Sequence, residues 1–329
     1  MTRILISLVA ASLAGHALAT AQSYAQRADV QAFIREVSER HGFAEQDLQA
    51  LFSKVQRTEP ILEAIKPPPP KERSWEEYRG NFVNARRIDA GKVFWKMHRD
   101  AVARAESRYG VPGEYIVSII GIETFYGRNS GRWRVLDALT TLAFDYPARS
   151  PYFRSELEQY LLLSRDTGAD ASSVRGSYAG AIGIPQFMPS STRRFAVDFD
   201  GNGAVDLRRS PADAIGSVAN FLKEHGWQPG GQVSLEAQPK GDAWRELADG
   251  SVEPKHTLAE LRQAGVAFTA QADDARAALI ELETPERNSE YRLGLHNFYV
   301  LTRYNRSAFY ASAVHDLARE LKAAYERGK

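Results

Sequence analysis

The sequence has 329 residues, of which 43% are hydrophobic and 25% charged, values that are ordinary for a folded globular chain and argue against disorder. Its 42 basic and 41 acidic residues nearly cancel, so charge gives no reason to expect a nucleic-acid partner. The complete absence of cysteine excludes disulfides, a thiolate nucleophile and an acylated lipoprotein cysteine.

The chain begins with a segment that is typical of an export signal. After the single charge of Arg3 comes an apolar run over residues 4–14, followed by two Ala-x-Ala sites, the second of which ends at Ala21. This run is shorter than the roughly 20 residues that span a bilayer. We therefore expect residues 1–21 to be a cleaved signal peptide, which would leave a formally neutral, soluble periplasmic protein. A buried N-terminal helix is the alternative.

The next region carries apolar residues at helical spacing. Val30 and Phe33 illustrate this spacing, which extends over residues 28–65. The four prolines of residues 67–70 cannot continue a helix and separate this region from the rest of the chain. These features predict an N-terminal helical domain over residues 22–90.

The remaining chain predicts a helical domain with an insertion. Helical spacing continues through residues 91–227, the predicted core. Turn-forming glycine and proline then become frequent, and residues 233–235 and 278–282 have the pattern of short strands. We therefore predict a small β-containing insertion over residues 228–287. Helical spacing returns over residues 288–329, which are predicted to rejoin the core, so the fold class is mainly α (α+β).

One carboxylate lies on the apolar face of a predicted helix that begins at Pro112 and stops at Gly127. Residues of this face recur at i, i+3, i+4 and i+7: Ile116, Ile119, Ile120 and Glu123. Apolar neighbours and the negative end of the helix dipole favour the neutral form of Glu123, and a proton donor at neutral pH requires that form. The alternative is a buried glutamate that is neutralised by an arginine such as Arg128 or Arg132.

A loop rich in glycine and proline comes next at residues 177–191, where a continuous helix is not possible. Glycine lets a ligand approach the backbone closely. Ser177 and Gln186 offer uncharged hydrogen-bonding groups that suit N-acetyl groups and sugar hydroxyls. The alternative is an ordinary surface loop without a ligand.

The C-terminal part contains five aromatic residues among amides and hydroxyls, within residues 297–310. Amphipathic rings of this kind suit the faces of sugar rings. Phe298 and Phe309 carry no polar group, so we expect them in the core instead.

An acidic segment matches the first part of an EF-hand loop, with oxygen ligands at positions 1, 3 and 5, glycine at 6 and a backbone carbonyl at 7. The matching residues are Asp198, Asp200, Asn202, Gly203 and Ala204, and the match ends at Asp206. Position 12 is Arg209 instead of glutamate, and the next acid is Asp213. Either the loop is lengthened over residues 198–213 and Asp213 completes a calcium site, or the loop binds calcium weakly or not at all. A polar turn without metal is the alternative.

Taken together, these segments resemble the membrane-bound lytic murein transglycosylase B family from Trp75 to the C-terminus. The motifs that carry the resemblance are residues 121–124, 180–191, the acidic loop with 213–220, and 302–305. The resemblance implies a lysozyme-like core with an N-terminal helical domain and a small inserted β-containing domain. It also implies non-hydrolytic cleavage of peptidoglycan between N-acetylmuramic acid and N-acetylglucosamine, with formation of a 1,6-anhydro sugar.

The resemblance further implies roles for individual residues. Glu123 matches the catalytic acid and base of the family. Positions that line the family's substrate cleft are matched by Ser177, Gln186, Tyr304, Asn305, Tyr310, Tyr78 and Arg149. The acidic loop resembles the family's calcium loop, whose candidate ligands here are Asp198, Asp200, Asn202, Ala204, Asp206 and Asp213. The chemistry is expected to need no cofactor.

The expected partners are peptidoglycan glycan strands, with cell-wall synthesis proteins as further candidates, no nucleic acid, and a monomeric state. The lipid-anchoring cysteine of the family's namesake is absent, which again predicts a soluble protein.

The mechanism that we expect uses a single glutamate, which protonates the glycosidic oxygen and then deprotonates the muramic C6 hydroxyl. Tyr304 and Asn305 would orient the acetamido group that assists the reaction. A hydrolytic muramidase is one alternative and would need water and a second carboxylate such as Asp137 or Asp145. A non-catalytic peptidoglycan-binding protein is the other.

Overall fold

The structure is a computed structural model, and it describes residues 23–66, 74–270, 274–285 and 287–327. The predicted signal peptide, residues 1–21, and the four prolines of residues 67–70 lie outside the described residues. The chain divides into two compact units, one that ends at Gln56 and one that begins at Arg57. Within the described ranges, no helix combines the length and the apolar character needed to cross a membrane.

The described residues of the first unit contain two α-helices, α1 (Ala28–His41) and α2 (Glu45–Phe52). Helix α1 ends because Gly42 adopts a left-handed conformation, with φ at 72°, and its N–H donates to the carbonyl of the preceding turn. The rings of Phe33 and Phe52 meet edge to face, with centroids 6.1 Å apart. These contacts confirm the helices that the spacing predicts in this region.

The second unit contains twelve helices within its described residues. They are α3 (Glu59–Ala64), α4 (Trp75–Phe82), α5 (Ala85–Met97), α6 (Arg99–Tyr109), α7 (Gly113–Thr124), α8 (Val135–Asp145), α9 (Ser150–Thr167), α10 (Pro189–Phe195), α11 (Pro211–Glu224), α12 (Leu258–Gln263), α13 (His296–Tyr304) and α14 (Ala308–Glu326).

Helix α7 lies at the centre of this unit. Residues 115–122 are all buried, and α5, α6, α11 and α14 pack around them. The hydroxyl of Ser118 donates to the carbonyl oxygen of Val314 on α14, at 2.8 Å. A helix that is apolar on every side is stable only in such an interior position. The packing therefore fixes where the last turn of α7 points.

The second unit also contains two antiparallel sheets. The strands are β1 (Trp133–Arg134), β2 (Arg175–Gly176), β3 (Ser234–Pro239), β4 (His256–Thr257), β5 (Val266–Ala267), β6 (Arg276–Leu282) and β7 (Glu290–Gly294). Strand β1 pairs with β2, and the other five form a sheet in the order β4-β6-β7-β3-β5. The larger sheet is the β-containing part that the composition predicts.

The larger sheet is buried on both faces. Leu279 and Leu293 pack with Leu261 of α12 on one face, whereas Ala278 and Ile280 join the core of the helices on the other. A strand that is covered on both faces needs apolar residues without alternation, as β6 shows. The strand predictions at residues 233–235 and 278–282 are confirmed by β3 and β6.

The domain boundaries that the sequence predicts remain predictions, but one of them cuts through a helix and another separates a strand from the rest of its sheet. Residue 90 falls inside α5, where helical spacing simply continues across the predicted boundary. Residue 287 precedes β7, which extends the larger sheet to Gly294.

A buried carboxylate connects the sheet to the helices. Arg292 of β7 donates two hydrogen bonds to Asp316 of α14, at 2.7 and 3.0 Å. Arg79 of α4 donates a third, at 2.8 Å. Asp316 is only 7% exposed. One acid therefore ties together three elements that are distant in sequence.

Candidate active site

The site begins with an unusual helix end directly after Glu123. Three consecutive residues adopt left-handed conformations, with φ of 51° at Phe125, 61° at Tyr126 and 84° at Gly127. The sequence places the stop at Gly127, which is wrong, because α7 already ends at Thr124. Left-handed backbone at residues other than glycine costs about 1–3 kcal/mol each and is kept only where the surrounding structure imposes it.

Thr124 supplies much of that constraint. Its hydroxyl donates to the carbonyl oxygen of Ile184 at 2.8 Å and accepts from the N–H of Gly127 at 2.9 Å. Ile184 belongs to the glycine-rich loop. The threonine thus fixes both the turn after α7 and the loop that faces it.

Glu123 lies in the interior, with one side open to a cavity of about 280 Å³. Its Oε1 accepts a hydrogen bond from the hydroxyl of Tyr310, at 2.6 Å. Burial raises the pKa of Glu123 to about 7, while the hydrogen bond from Tyr310 acts in the opposite direction. The carboxyl group therefore exchanges its proton near neutral pH.

Two further tyrosines lie close to this pair. The rings of Tyr304 and Tyr310 stack, with centroids 6.4 Å apart, and Tyr78 packs against Phe309 with centroids 5.6 Å apart. Burial and the nearby Glu123 carboxylate raise the pKa of Tyr304 and Tyr310 well above the usual value. Both hydroxyls therefore stay protonated and act as hydrogen-bond donors.

The glycine-rich loop approaches this group of side chains through its backbone. The hydroxyl of Tyr304 donates to the carbonyl oxygen of Pro185, at 2.6 Å. Gln186 has a left-handed backbone, with φ at 53°, and its side-chain amide donates to the carbonyl oxygens of Gly183 and Ser130. The hydroxyl of Ser177 accepts from N–H groups within the same loop. Ser177 and Gln186 therefore hold the shape of the loop.

The remaining two predicted cleft residues are exposed. Asn305 directly follows Tyr304 and ends α13 in an extended conformation. Arg149 stacks over the ring of Tyr152, 4.5 Å from its centroid. The structure thus brings Tyr310 into contact with Glu123 and places Tyr304 and Tyr78 beside Tyr310.

The charged residues that the alternatives require have other partners. Arg134 binds Asp137 through two hydrogen bonds of 2.6 and 2.7 Å, and Arg57 contacts Asp145 at 3.1 Å. Both acids are thus paired with arginines. Similarly, Arg128 and Arg132, the arginines considered as partners of Glu123, stack over Phe125 and Trp133 respectively.

Of the residues predicted for the site, only Glu123 lines this cavity, and the predicted cleft residues do not. Besides Glu123 and its neighbours in sequence, the cavity is lined by Asn81, Asn84, Arg86, Arg87 and Asn129. The only signal for this lining in the sequence is a pair of adjacent arginines close to the start of a helix. Their position beside Glu123 depends on the packing of α5 against α7.

The acidic loop has the internal hydrogen bonds of a folded cation loop. The carboxylate of Asp198 accepts from the N–H groups of Gly201, Asn202 and Gly203, at 2.7 to 3.1 Å. These hydrogen bonds lower the pKa of Asp198. The carboxylate is therefore held in its charged form.

Three carboxylates of this region converge. Asp198, Asp200 and Asp213 each have an oxygen within 4.8 Å of the others. Asp213 is fully buried in the first turn of α11, where its two oxygens also accept backbone N–H groups of the loop. Like charges at this separation repel, and hard oxygen ligands match a calcium ion. Arg209 is exposed, so the geometry fits the lengthened-loop interpretation, in which Asp213 replaces the missing twelfth ligand.

Comparisons with known proteins show the family of this chain. The family model described as "Transglycosylase SLT domain" matches residues 25–319. Membrane-bound lytic murein transglycosylase B of Escherichia coli (strain K12) is 41% identical over 313 residues, which cover 92% of this chain and 84% of the relative.

Solved structures are similar as well. The soluble lytic transglycosylase SltB1 from Pseudomonas aeruginosa is 47% identical, with a TM-score of 0.86, over 92% of this chain and 100% of that one. The Escherichia coli lytic transglycosylase Slt35 in complex with calcium is 41% identical, with a TM-score of 0.81, over 90% of this chain and 93% of that one. The predicted lysozyme-like, mainly helical fold class is confirmed. The chain belongs to the transglycosylase SLT domain family of lytic transglycosylases.

Proposed function

We propose that this protein cleaves the β-1,4 bond between N-acetylmuramic acid and N-acetylglucosamine in peptidoglycan and leaves a 1,6-anhydro-N-acetylmuramic acid end. The observation that carries the proposal is Glu123, an interior carboxyl group with a pKa of about 7 that opens onto a cavity. A group that is partly protonated at neutral pH can serve as acid and as base in turn.

In the first step, protonated Glu123 gives its proton to the glycosidic oxygen, and the bond between that oxygen and C1 of the muramyl sugar breaks. The substrate's own acetamido group stabilises the positive charge that develops at C1, so no second carboxylate is needed. Tyr304 and Asn305 orient that acetamido group. The hydroxyl of Tyr310 stabilises the carboxylate that Glu123 becomes.

In the second step, ionised Glu123 removes the proton of the muramyl C6 hydroxyl, and the C6 oxygen bonds to C1. The acid is thereby restored and no water is consumed. Ser177 and Gln186 shape the loop that lines the cleft. Tyr78 extends the aromatic surface beside Tyr310, and Arg149 contacts the glycan further along the surface.

A hydrolytic muramidase would require a second carboxylate or a positioned water. The two candidate acids, Asp137 and Asp145, are bound by arginines, which favours the route without water. Digestion of purified sacculi followed by mass spectrometry tests the proposal. Anhydro products lighter by one water than the hydrolysis products support it, and products that all carry the added water contradict it.

Tyr310→Phe is expected to move the pH dependence of the reaction upward. The Tyr310 hydroxyl favours the ionised form of Glu123, so its loss raises the pKa of Glu123 above about 7. The fall in kcat/KM that accompanies ionisation of the acid then occurs at higher pH. A pH profile of initial rates on sacculi measures this, with Tyr299→Phe on α13 as the control. An unshifted profile in Tyr310→Phe would contradict the assigned contact.

We also propose that the protein acts in the periplasm as a monomer after removal of residues 1–21, with cell-wall synthesis proteins as candidate partners. Cell fractionation and size-exclusion chromatography of the mature chain test these points. A membrane-bound or cytoplasmic product would contradict the first, and a dimer the second.

Calcium is the proposed structural ion of the acidic loop. Its ligands would be oxygens of Asp198, Asp200, Asn202, Ala204, Asp206 and Asp213. The convergence of three carboxylates supports the proposal, as does the relative described above in complex with calcium. The ion would hold the loop against the first turn of α11 and play no part in the chemistry.

Calcium is expected to raise the melting temperature of the protein. Free calcium at about 100 times its Kd stabilises a single-site protein by about 2.7 kcal/mol, which corresponds to a Tm increase of roughly 4 °C for a chain of this size. Thermal unfolding with calcium and with EDTA measures the shift. Asp200→Asn removes one ligand charge and should abolish most of it. Equal melting temperatures in calcium and EDTA would count against the site.

A further inference from the structure

Three guanidinium groups surround one phenyl ring beside Glu123. The central carbons of Arg86 and Arg87 each lie 5.1 Å from the ring centroid of Phe125, and that of Arg128 lies 5.4 Å from it. Phe125 belongs to the left-handed turn at the end of α7. The strained turn therefore presents the ring that the three arginines contact. We call Arg86, Arg87, Arg128 and Phe125 the arginine cluster.

The positive charges of the arginine cluster are not neutralised by the protein. Within the parts of the chain that the structure describes, none of the three arginines forms an ion pair with a carboxylate. Arg87 instead donates to the backbone carbonyls of Gly121 and Asn81, at 2.6 and 3.2 Å. Burial lowers the pKa of Arg87, Tyr126 acts in the opposite direction, and the charge of Arg86 adds a smaller lowering effect. Three cations that repel each other in this way would gain energy from a bound anion.

Three members of the arginine cluster share the cavity of about 280 Å³ with Glu123, because Arg86, Arg87 and Phe125 line it and Arg128 does not. The pKa of Glu123 in that cavity is raised by burial and lowered by the hydrogen bond from Tyr310. The cavity thus joins a proton donor to a cationic wall.

The other lining groups indicate what kind of anion fits. Asn81, Asn84 and Asn129 also line the cavity. The Asn84 side chain is already used to cap α5, where it accepts the N–H of Arg87 at 3.0 Å, whereas Asn129 is exposed. A guanidinium group binds a planar carboxylate through paired hydrogen bonds. Side-chain amides can form hydrogen bonds with a peptide bond. The cavity therefore suits a carboxylate that lies next to a peptide bond.

We propose that the arginine cluster binds a carboxylate of the short peptide that peptidoglycan carries on the lactyl group of its muramyl residues. This inference rests on the proposed function, which places a muramyl residue against Glu123. The lactyl group is attached to that same sugar, so the peptide begins beside the ring whose bond is cleaved, and its carboxylates follow along the peptide. The enzyme accordingly prefers glycan with peptides over glycan without them.

The double variant Arg86→Gln/Arg128→Gln tests the preference. Arg87 is left intact because it holds the carbonyl of Gly121 on the helix that carries Glu123. We compare kcat/KM on glycan strands with peptides and on strands from which an amidase has removed them. The ratio of kcat/KM with peptides to kcat/KM without them is expected to fall about tenfold in the double variant. A change of this size is typical for the loss of one hydrogen bond to a charged group.

The matched control is Arg245→Gln/Arg276→Gln, which removes two exposed arginines from the inserted region. This control should keep the wild-type ratio. If Arg86→Gln/Arg128→Gln also keeps it, or lowers both rates equally, the proposed recognition is wrong.

A binding measurement separates this inference from the proposed function. Calorimetry with Glu123→Gln compares a disaccharide-tetrapeptide with the same disaccharide lacking the peptide. The peptide-bearing ligand should bind about tenfold more tightly, and this difference should vanish when Arg86→Gln/Arg128→Gln is added.

Inorganic phosphate is the competitor that reveals a general anion site. Equal binding of both ligands, or a preference that survives the arginine changes, overturns the inference even if wild-type enzyme releases anhydro products. Conversely, absence of those products refutes the proposed function alone.

Discussion

Glu123→Gln is expected to lower kcat for release of 1,6-anhydro products by at least about a thousandfold, the upper part of the range for loss of a general acid and base. Glutamine has nearly the same shape as glutamate, and its carbonyl oxygen can still accept the hydrogen bond of Tyr310. It can neither give a proton to the glycosidic oxygen nor take one from the C6 hydroxyl. Both proposed steps therefore fail while glycan binding remains.

The substitution should not weaken the fold. Because the folded-state pKa of Glu123 is raised to about 7, the folded state binds the proton more tightly than the unfolded chain does. Stability is then lost as the pH rises from the unfolded pKa of about 4.3 through the folded value. Glutamine has no proton to lose, so Glu123→Gln should melt at the same or a higher temperature than wild type at pH 8.

The measurement is digestion of sacculi with quantitative mass spectrometry of the anhydro products, together with glycan binding. Glu114→Gln is the matched control, since Glu114 lies at the opposite end of α7, where Lys322 contacts it at 3.0 Å. It should retain wild-type turnover. Turnover by Glu123→Gln within a factor of about ten of wild type would remove the basis for single-glutamate catalysis.

The central helix illustrates what the sequence can predict. Apolar spacing and Pro112 are local signals, and they place α7 and the inward direction of Glu123 correctly. The end of the helix is not a local property. Phe125 turns left-handed because Thr124 is bound to Ile184, 60 residues later, and such a tertiary contact leaves no trace in the spacing of apolar residues.

The same holds for the site: residues near a recognised motif can be predicted, whereas residues that only tertiary packing brings together cannot. Tyr304 and Tyr310 are predicted because the motifs near them resemble a known family, and the structure stacks both rings beside Glu123. Arg86 and Arg128 belong to no recognised motif and are exposed. They meet only because α5 packs against α7, so sequence reasoning had no means of joining them.

Asp316→Asn is expected to lower the free energy of unfolding by about 3–5 kcal/mol, the usual effect of removing one partner from a buried ion pair. Arg292, whose side chain is only 12% exposed, would lose its two hydrogen bonds to a buried carboxylate and keep only the exposed carboxylate of Glu290, at 3.2 Å. Burial tends to raise the pKa of Asp316, but the hydrogen bonds and charges of Arg292 and then Arg79 outweigh burial and lower it. The carboxylate is thus ionised throughout the neutral range.

The pH dependence gives this prediction a second readout. A carboxyl group whose folded pKa is lowered stabilises the protein fully above its unfolded pKa of about 3.9, and that stabilisation is lost as the pH falls through the folded value. Urea unfolding at pH 7 and below pH 4 should therefore separate wild type from Asp316→Asn widely at the higher pH and much less at the lower one. Asp100→Asn, an exposed acid 3.4 Å from Arg99, is the control and should change stability by no more than about 0.5 kcal/mol. A constant difference between Asp316→Asn and wild type at both pH values would mean that packing, not charge, joins the sheet to the helices.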